Sequence, residues 1–213
     1  MVKIKTVITK QSRYKQPFIF NNDTKALILS ALAIFMGFIT SIIPVISDLT
    51  IINSELDNRF INYLNAFSED NLINIFIGIF VPLFMYLVLC CVFGTCALGC
   101  FPALITTYIK SLGMALSVFY VIYNFKLKGL EYILITQLPG KIIMIFCMLM
   151  LTKFAVKSSV SIKQSLLKKE STDFEKQTYI KQNTLMLLFV FLSALTDSVM
   201  IKAFSSLFSF KVS

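Results

Sequence analysis

Residues 72–123 read LINIFIGIFVPLFMYLVLCCVFGTCALGCFPALITTYIKSLGMALSVFYVIY, and Lys110 is the single charge in the stretch. As one helix rising about 1.5 Å per residue, it would reach about 78 Å. A bilayer's hydrocarbon core is only about 30 Å thick. The stretch must therefore fold back. Gly94, Gly99 and Pro102 are its break signals, because glycine and proline weaken or interrupt a helix. A hairpin puts helices at about 72–94 and 104–123. Alternatively, residues 95–109 dip in as a re-entrant segment, which requires backbone buried in protein or lining a cavity. Both arrangements stay open at this point.

The rest of the chain fits the same reading. Its 213 residues are 57% apolar and 15% charged. Soluble domains carry about 45–50% and about 25%. Residues 26–46 hold no charge and are long enough to cross. Residues 47–71 form a loop rich in Asp, Glu and Asn. Apolar segments follow at about 132–152 and 184–208, separated by a basic stretch over 153–183. Part of that stretch has the spacing of an amphipathic surface helix, and Thr172 to Glu175 fits a capping box. The expectation is an all-α polytopic membrane helical bundle of about five transmembrane helices. A basic tail, 1–25, precedes a single transmembrane domain, 26–213.

Composition excludes several chemistries. There is no histidine, so Ser-His or Cys-His catalysis and HExxH zinc sites are ruled out. No glycine-rich phosphate loop occurs. Among the predicted spans only Asp197 supplies a carboxylate, whereas aspartyl chemistry needs two facing acids. The five cysteines all lie in apolar stretches and read as small packing residues. No catalytic, cofactor-binding or metal site is expected.

The net charge of +9 comes from two clusters of lysine and arginine, and it reads as membrane topology rather than nucleic-acid binding. With the N-terminus cytoplasmic and five crossings, the inside receives thirteen basic residues and the outside five. That satisfies the positive-inside rule and puts the C-terminus outside.

Lys110, Lys141 and Asp197 fall within predicted spans, and Lys202 lies towards the outer end of the last one. An ionisable residue in a membrane is a functional candidate. Asp197 could pair with a lysine on the third or fourth helix. Lysines near helix ends can instead snorkel to the interface. A transport or proton-relay role is the competing reading. The glycines signal close packing or helix breaks.

The central region carries a resemblance. Gly99-Cys100-Phe101-Pro102, Lys110-Ser111-Leu112-Gly113, Gly129 and Leu138-Pro139 are spaced as in the stage II sporulation protein M family. The order of segments is also similar, as is an acidic residue near Asp197. Two positions depart from the family pattern. Ser111 stands where the family often has glycine, and Gly140-Lys141 follow Pro139 in place of a polar residue such as Gln-Asn or His. The resemblance implies a multi-pass protein of the septal and engulfing membrane in endospore formation. It implies a non-enzymatic scaffold for two peptidoglycan-degrading partners, the stage II sporulation proteins D and P. The family's pattern singles out Gly99, Pro102, Lys110, Gly113, Gly129 and Pro139, beside the intramembrane Lys141 and Asp197. The alternative function is the transmembrane subunit of a permease that works with a separate ATPase.

Overall fold

The computed structural model describes residues 22–46, 71–168 and 176–204. They form an all-α membrane bundle: α1 (Asn22–Ile46), α2 (Leu72–Gly94), α3 (Cys100–Tyr132), a π-helical segment (Ile133–Gln137), α4 (Leu138–Lys168) and α5 (Lys176–Phe204). The tail before residue 22, the acidic loop and the Thr172–Glu175 capping box lie outside the described residues.

Four helical runs are long and apolar enough to cross a membrane, and one of them, Cys100–Leu166, covers 67 residues. Straight, it would be about 100 Å long. It doubles back at Lys126, whose φ of 48° breaks the helical path. Beyond the reversal, Gly129 lies so close to the Val121 carbonyl that any β-carbon would collide with it. At the other end of this hairpin the Cys100 amide donates to Ser159 Oγ at 2.9 Å. The described residues therefore make five helical passes of the bundle.

Two faces follow. The near face gathers the starts of α1, α3 and α5, the end of α2, and the α4 residues around 157–159. Asp23 meets Lys157 there at 2.9 Å, and Tyr179 Oη donates to the Cys91 carbonyl at 3.1 Å. The far face holds the Lys126 reversal and the contact of Ile75 with Ile201.

The re-entrant alternative gives way to a hairpin. Residues 95–99 are a tight turn, closed by Thr95 N–H to Val92 O and Gly99 N–H to Cys96 O. Pro102 sits in the first turn of α3, where a missing N–H costs little. Gly99 is required because a side chain would strike the Phe93 carbonyl.

The expected basic loop from 153 is also replaced. Instead of lying on the surface, α4 continues to Lys168, with Ala155, Val156, Ser158 and Ser159 buried in the bundle. The Ser158 hydroxyl donates to the Gly94 carbonyl at 2.6 Å. This anchors the α2–α3 turn and draws α4 past the expected boundary.

The core is apolar, with Leu83, Leu87, Met144, Met148, Leu151, Met186 and Val190 buried together. Phe76 links α2 to α5 through Phe191, with ring centroids 5.3 Å apart. Outward positions such as Ile28, Leu32, Phe35, Leu188 and Val199 are large and exposed. That pattern suits lipid as solvent.

The tightest seam joins α1 and α3. α1 buries Ala26, Ser30, Ile34, Gly37 and Ser41, and α3 buries Ala103, Thr107, Ser111 and Ala115. The spacing of three or four keeps each set on one helix face. Ser111 Oγ donates to the Ile34 carbonyl at 2.7 Å. Small residues let membrane helices approach this closely. A β-carbon at Gly37 would lie 2.8 Å from both Ser111 Cβ and the Tyr108 carbonyl. Gly37→Leu should therefore destabilise the bundle by about 1–3 kcal/mol, read as a lower melting temperature in detergent. An unchanged melt would show that the seam is loose.

Candidate functional site

Polar groups inside the bundle gather in two places. The first is at the far face. Pro139 has no N–H and its ring clashes with the carbonyl four residues back. The chain widens to a π-helix over Ile133–Gln137 immediately before it, with the Leu138 amide donating to the Ile133 carbonyl. Such turns recur at functional sites. Thr136 Oγ1 donates to the Tyr132 carbonyl at 2.6 Å.

Asp197 of α5 faces this region. Its carboxylate rests on Gly140, where a β-carbon would overlap Oδ1. Ser193, one turn earlier, donates to the Gly140 carbonyl at 2.9 Å. Asp197 and Lys141 make no direct salt bridge, although the two charges lie near enough to interact. Lys141 Nζ instead donates to Gln137 Oε1 at 2.6 Å, because four residues of helix bring those side chains together on one face. The ion pair seen among the described residues is Lys157 with Asp23, at the near face. Asp197 Oδ1 is buried and has no hydrogen-bond partner among the described residues. A buried oxygen without a partner is costly and marks a place where a proton, water or ion would be welcome.

The second place is a hydroxyl knot at the centre. Tyr86 Oη lies 3.1 Å from Thr107 Oγ1 and 3.0 Å from Thr152 Oγ1, and the two threonine oxygens are 2.6 Å apart. Thr107 also reaches the Ala103 carbonyl, and Thr152 the Met148 carbonyl. Three hydroxyl protons serve these five contacts. One consistent order runs Tyr86 to Thr107 to Thr152 to the Met148 carbonyl, and the mirror order ends on Ala103. The knot ties α2, α3 and α4 together. No charge, metal ligand or activated nucleophile is part of it.

Lys110 belongs to neither group. It lines a groove of about 380 Å³ between α2 and α3, with Pro82, Met85 and Leu89 on one wall and Thr106 and Gly113 on the other. It makes no ion pair or hydrogen bond among the described residues.

The residues marked by sequence thus separate by role. Gly99 and Pro102 shape the near-face turn. Gly129 shapes the far-face reversal. Pro139 follows the π-helix, and Lys141 and Asp197 flank Gly140, close enough to interact but without a direct salt bridge. Lys110 and Gly113 line the groove. Sequence reasoning missed the knot and the α1–α3 seam. Thr107 and Thr152 are isolated hydroxyls in apolar runs, and Ser30, Gly37 and Ser41 are small residues at helical spacing. Both signals were present. Comparison with protein-family models, with curated proteins and with solved structures gave no match.

The contact of Gly140 with Asp197 can be tested by a double-mutant cycle. Gly140→Ala should cost about 1–3 kcal/mol by overpacking. In an Asp197→Gly background the same change should cost far less, a coupling of about 1 kcal/mol or more. Additive effects in detergent unfolding would show that the two residues do not touch.

Proposed function

We propose that this protein is a non-enzymatic membrane scaffold, which anchors and localises peptidoglycan hydrolases during endospore engulfment. The resemblance to the stage II sporulation protein M family supplies that setting, with the stage II sporulation proteins D and P as partners. The observation that favours an anchor over a conduit is the packing between the two polar groups. From Gly140 to Thr152, about 18 Å along α4, the inward residues are Met144, Cys147, Met148 and Leu151, each at most 2% exposed. A continuous path for a solute or proton would need polar lining there.

Charge supports the orientation. The near face carries Lys25, Lys157, Lys163 and Lys181, all exposed, and adjoins the basic tail. By the positive-inside rule it is the cytoplasmic face. The acidic loop and the C-terminus then lie outside, on the side of the cell wall. The mechanism is positional: confining hydrolases to one patch of membrane raises their effective concentration at their substrate.

Deleting the gene in a spore-forming host should stall engulfment and scatter the two hydrolases, seen by fluorescence microscopy of tagged partners. Normal engulfment with correctly placed hydrolases would remove the proposal.

One observation favours a second reading, a permease subunit acting with a separate ATPase. It is the unpartnered oxygen of Asp197 beside a π-helix and a proline-interrupted span, a pattern found at transport sites. If that reading holds, Asp197→Asn should abolish flux in reconstituted vesicles without unfolding the chain. Undiminished flux would leave Asp197 with a packing role.

A further inference from the structure

We propose that the groove between α2 and α3 receives one transmembrane helix of a partner protein, with a carboxylate on that helix paired to Lys110. The inference rests on the scaffold reading and assigns its docking surface.

Four observations converge on the groove. First, Lys110 is the eleventh residue of α3, about 15 Å along the helix from its start. An amine at that depth needs a carboxylate, a carbonyl or water to offset the cost of leaving solvent. Among the described residues it has no partner. Second, the walls are low. Gly113 is exposed, and a β-carbon added there would meet nothing within 4 Å; Gly78, one turn before Pro82 and outside the groove's lining, is open in the same way. Open glycines on a lipid-facing surface let a second backbone come close. Third, Pro82 lines the groove and has no N–H, so the Gly78 carbonyl one turn away loses its ordinary helical donor. Fourth, the α3 wall runs from Thr106 to Ser117, about three turns, which is the length over which two crossing helices touch.

Charge complementarity selects the occupant. A second copy of this chain has no carboxylate to offer at that depth among the described residues: Asp197 is turned onto Gly140, and Asp23 and Glu131 lie near the membrane faces. A lipid phosphate stays at the headgroup level. The groove continues past Lys110 towards the far face, through Gly113 and Ser117, where no near-face headgroup reaches. A helix with an acidic side chain satisfies both the charge and the length.

The test uses the full chain in phosphatidylcholine nanodiscs. The probe is a synthetic transmembrane peptide of leucine and alanine with one central glutamate and an adjacent photo-crosslinker. A glutamine peptide is the control. The glutamate peptide should cross-link about tenfold more than the control, as expected for a close charge pair. The cross-links should map to residues 82–89 and 106–117. Lys110→Met should remove the preference, and Gly113→Leu should remove the cross-link, with helicity and melting unchanged. Lys110→Glu should switch the preference to a lysine peptide, which separates pairing from a folding defect. Equal cross-linking of both peptides, cross-links elsewhere, or displacement of the peptide by phosphatidylglycerol would each overturn the proposal. If the peptide docks as expected but engulfment is normal in the deletion strain, the groove stands and the scaffold reading falls. If hydrolases scatter on deletion but the peptide ignores Lys110, the scaffold stands and the groove falls.

Discussion

A chain in hydrocarbon must satisfy its own backbone, because no water is there to help. That constraint shapes nearly every polar feature of this bundle. Helix supplies most of the bonds, and the exceptions are met locally. The widened turn before Pro139 is joined by the Thr136 hydroxyl on the Tyr132 carbonyl. The Gly94 carbonyl at the end of α2 takes the Ser158 hydroxyl. Ser30, Ser41, Thr184 and Thr196 donate to carbonyls of their own preceding turns. Serine and threonine here serve mainly as spare donors, buried at Ser30 and Ser41, exposed at Thr184 and half-buried at Thr196.

The same constraint explains which parts of the fold were legible in the sequence. A 52-residue apolar run cannot stay straight in a bilayer, so the reversal after α2 could be read from length alone. The reversal at Lys126 falls where Asn124, Lys126, Lys128, Gly129 and Glu131 interrupt the apolar sequence. The end of the fourth apolar segment was not legible. Lys153 and Lys157 resemble the start of an aqueous loop, yet α4 runs on because Ala155, Val156, Ser158 and Ser159 fill the space beside Gly94 and the 95–99 turn. A lysine at a helix face says that one side is wet. It says nothing about the opposite side, which here packs into protein.

The candidate residues show a similar division. At Gly99 and Gly129 a side chain would strike a backbone carbonyl, a local steric effect, whereas Gly113 stands open and the tight packing at Gly37 was not singled out. The charges were read less well. A pairing between Asp197 and Lys141 was a natural inference from two opposite charges in neighbouring spans. The outcome turned on a side-chain amide four residues from the lysine and on the bare backbone of Gly140. Neither is visible without the register of α4 against α5, and register depends on the whole interface between them.

Tyr179 has a consequence for how the bundle is assembled. Its ring occupies the notch that Gly94 leaves open, against the backbone of Ala155. That notch exists only after α2, the 95–99 turn and α4 are already assembled. α5 therefore takes a seat that α2 and α4 build together. A bundle without α5 would leave an open socket at the near face, which lipid tails or another helix would have to fill beside Gly94.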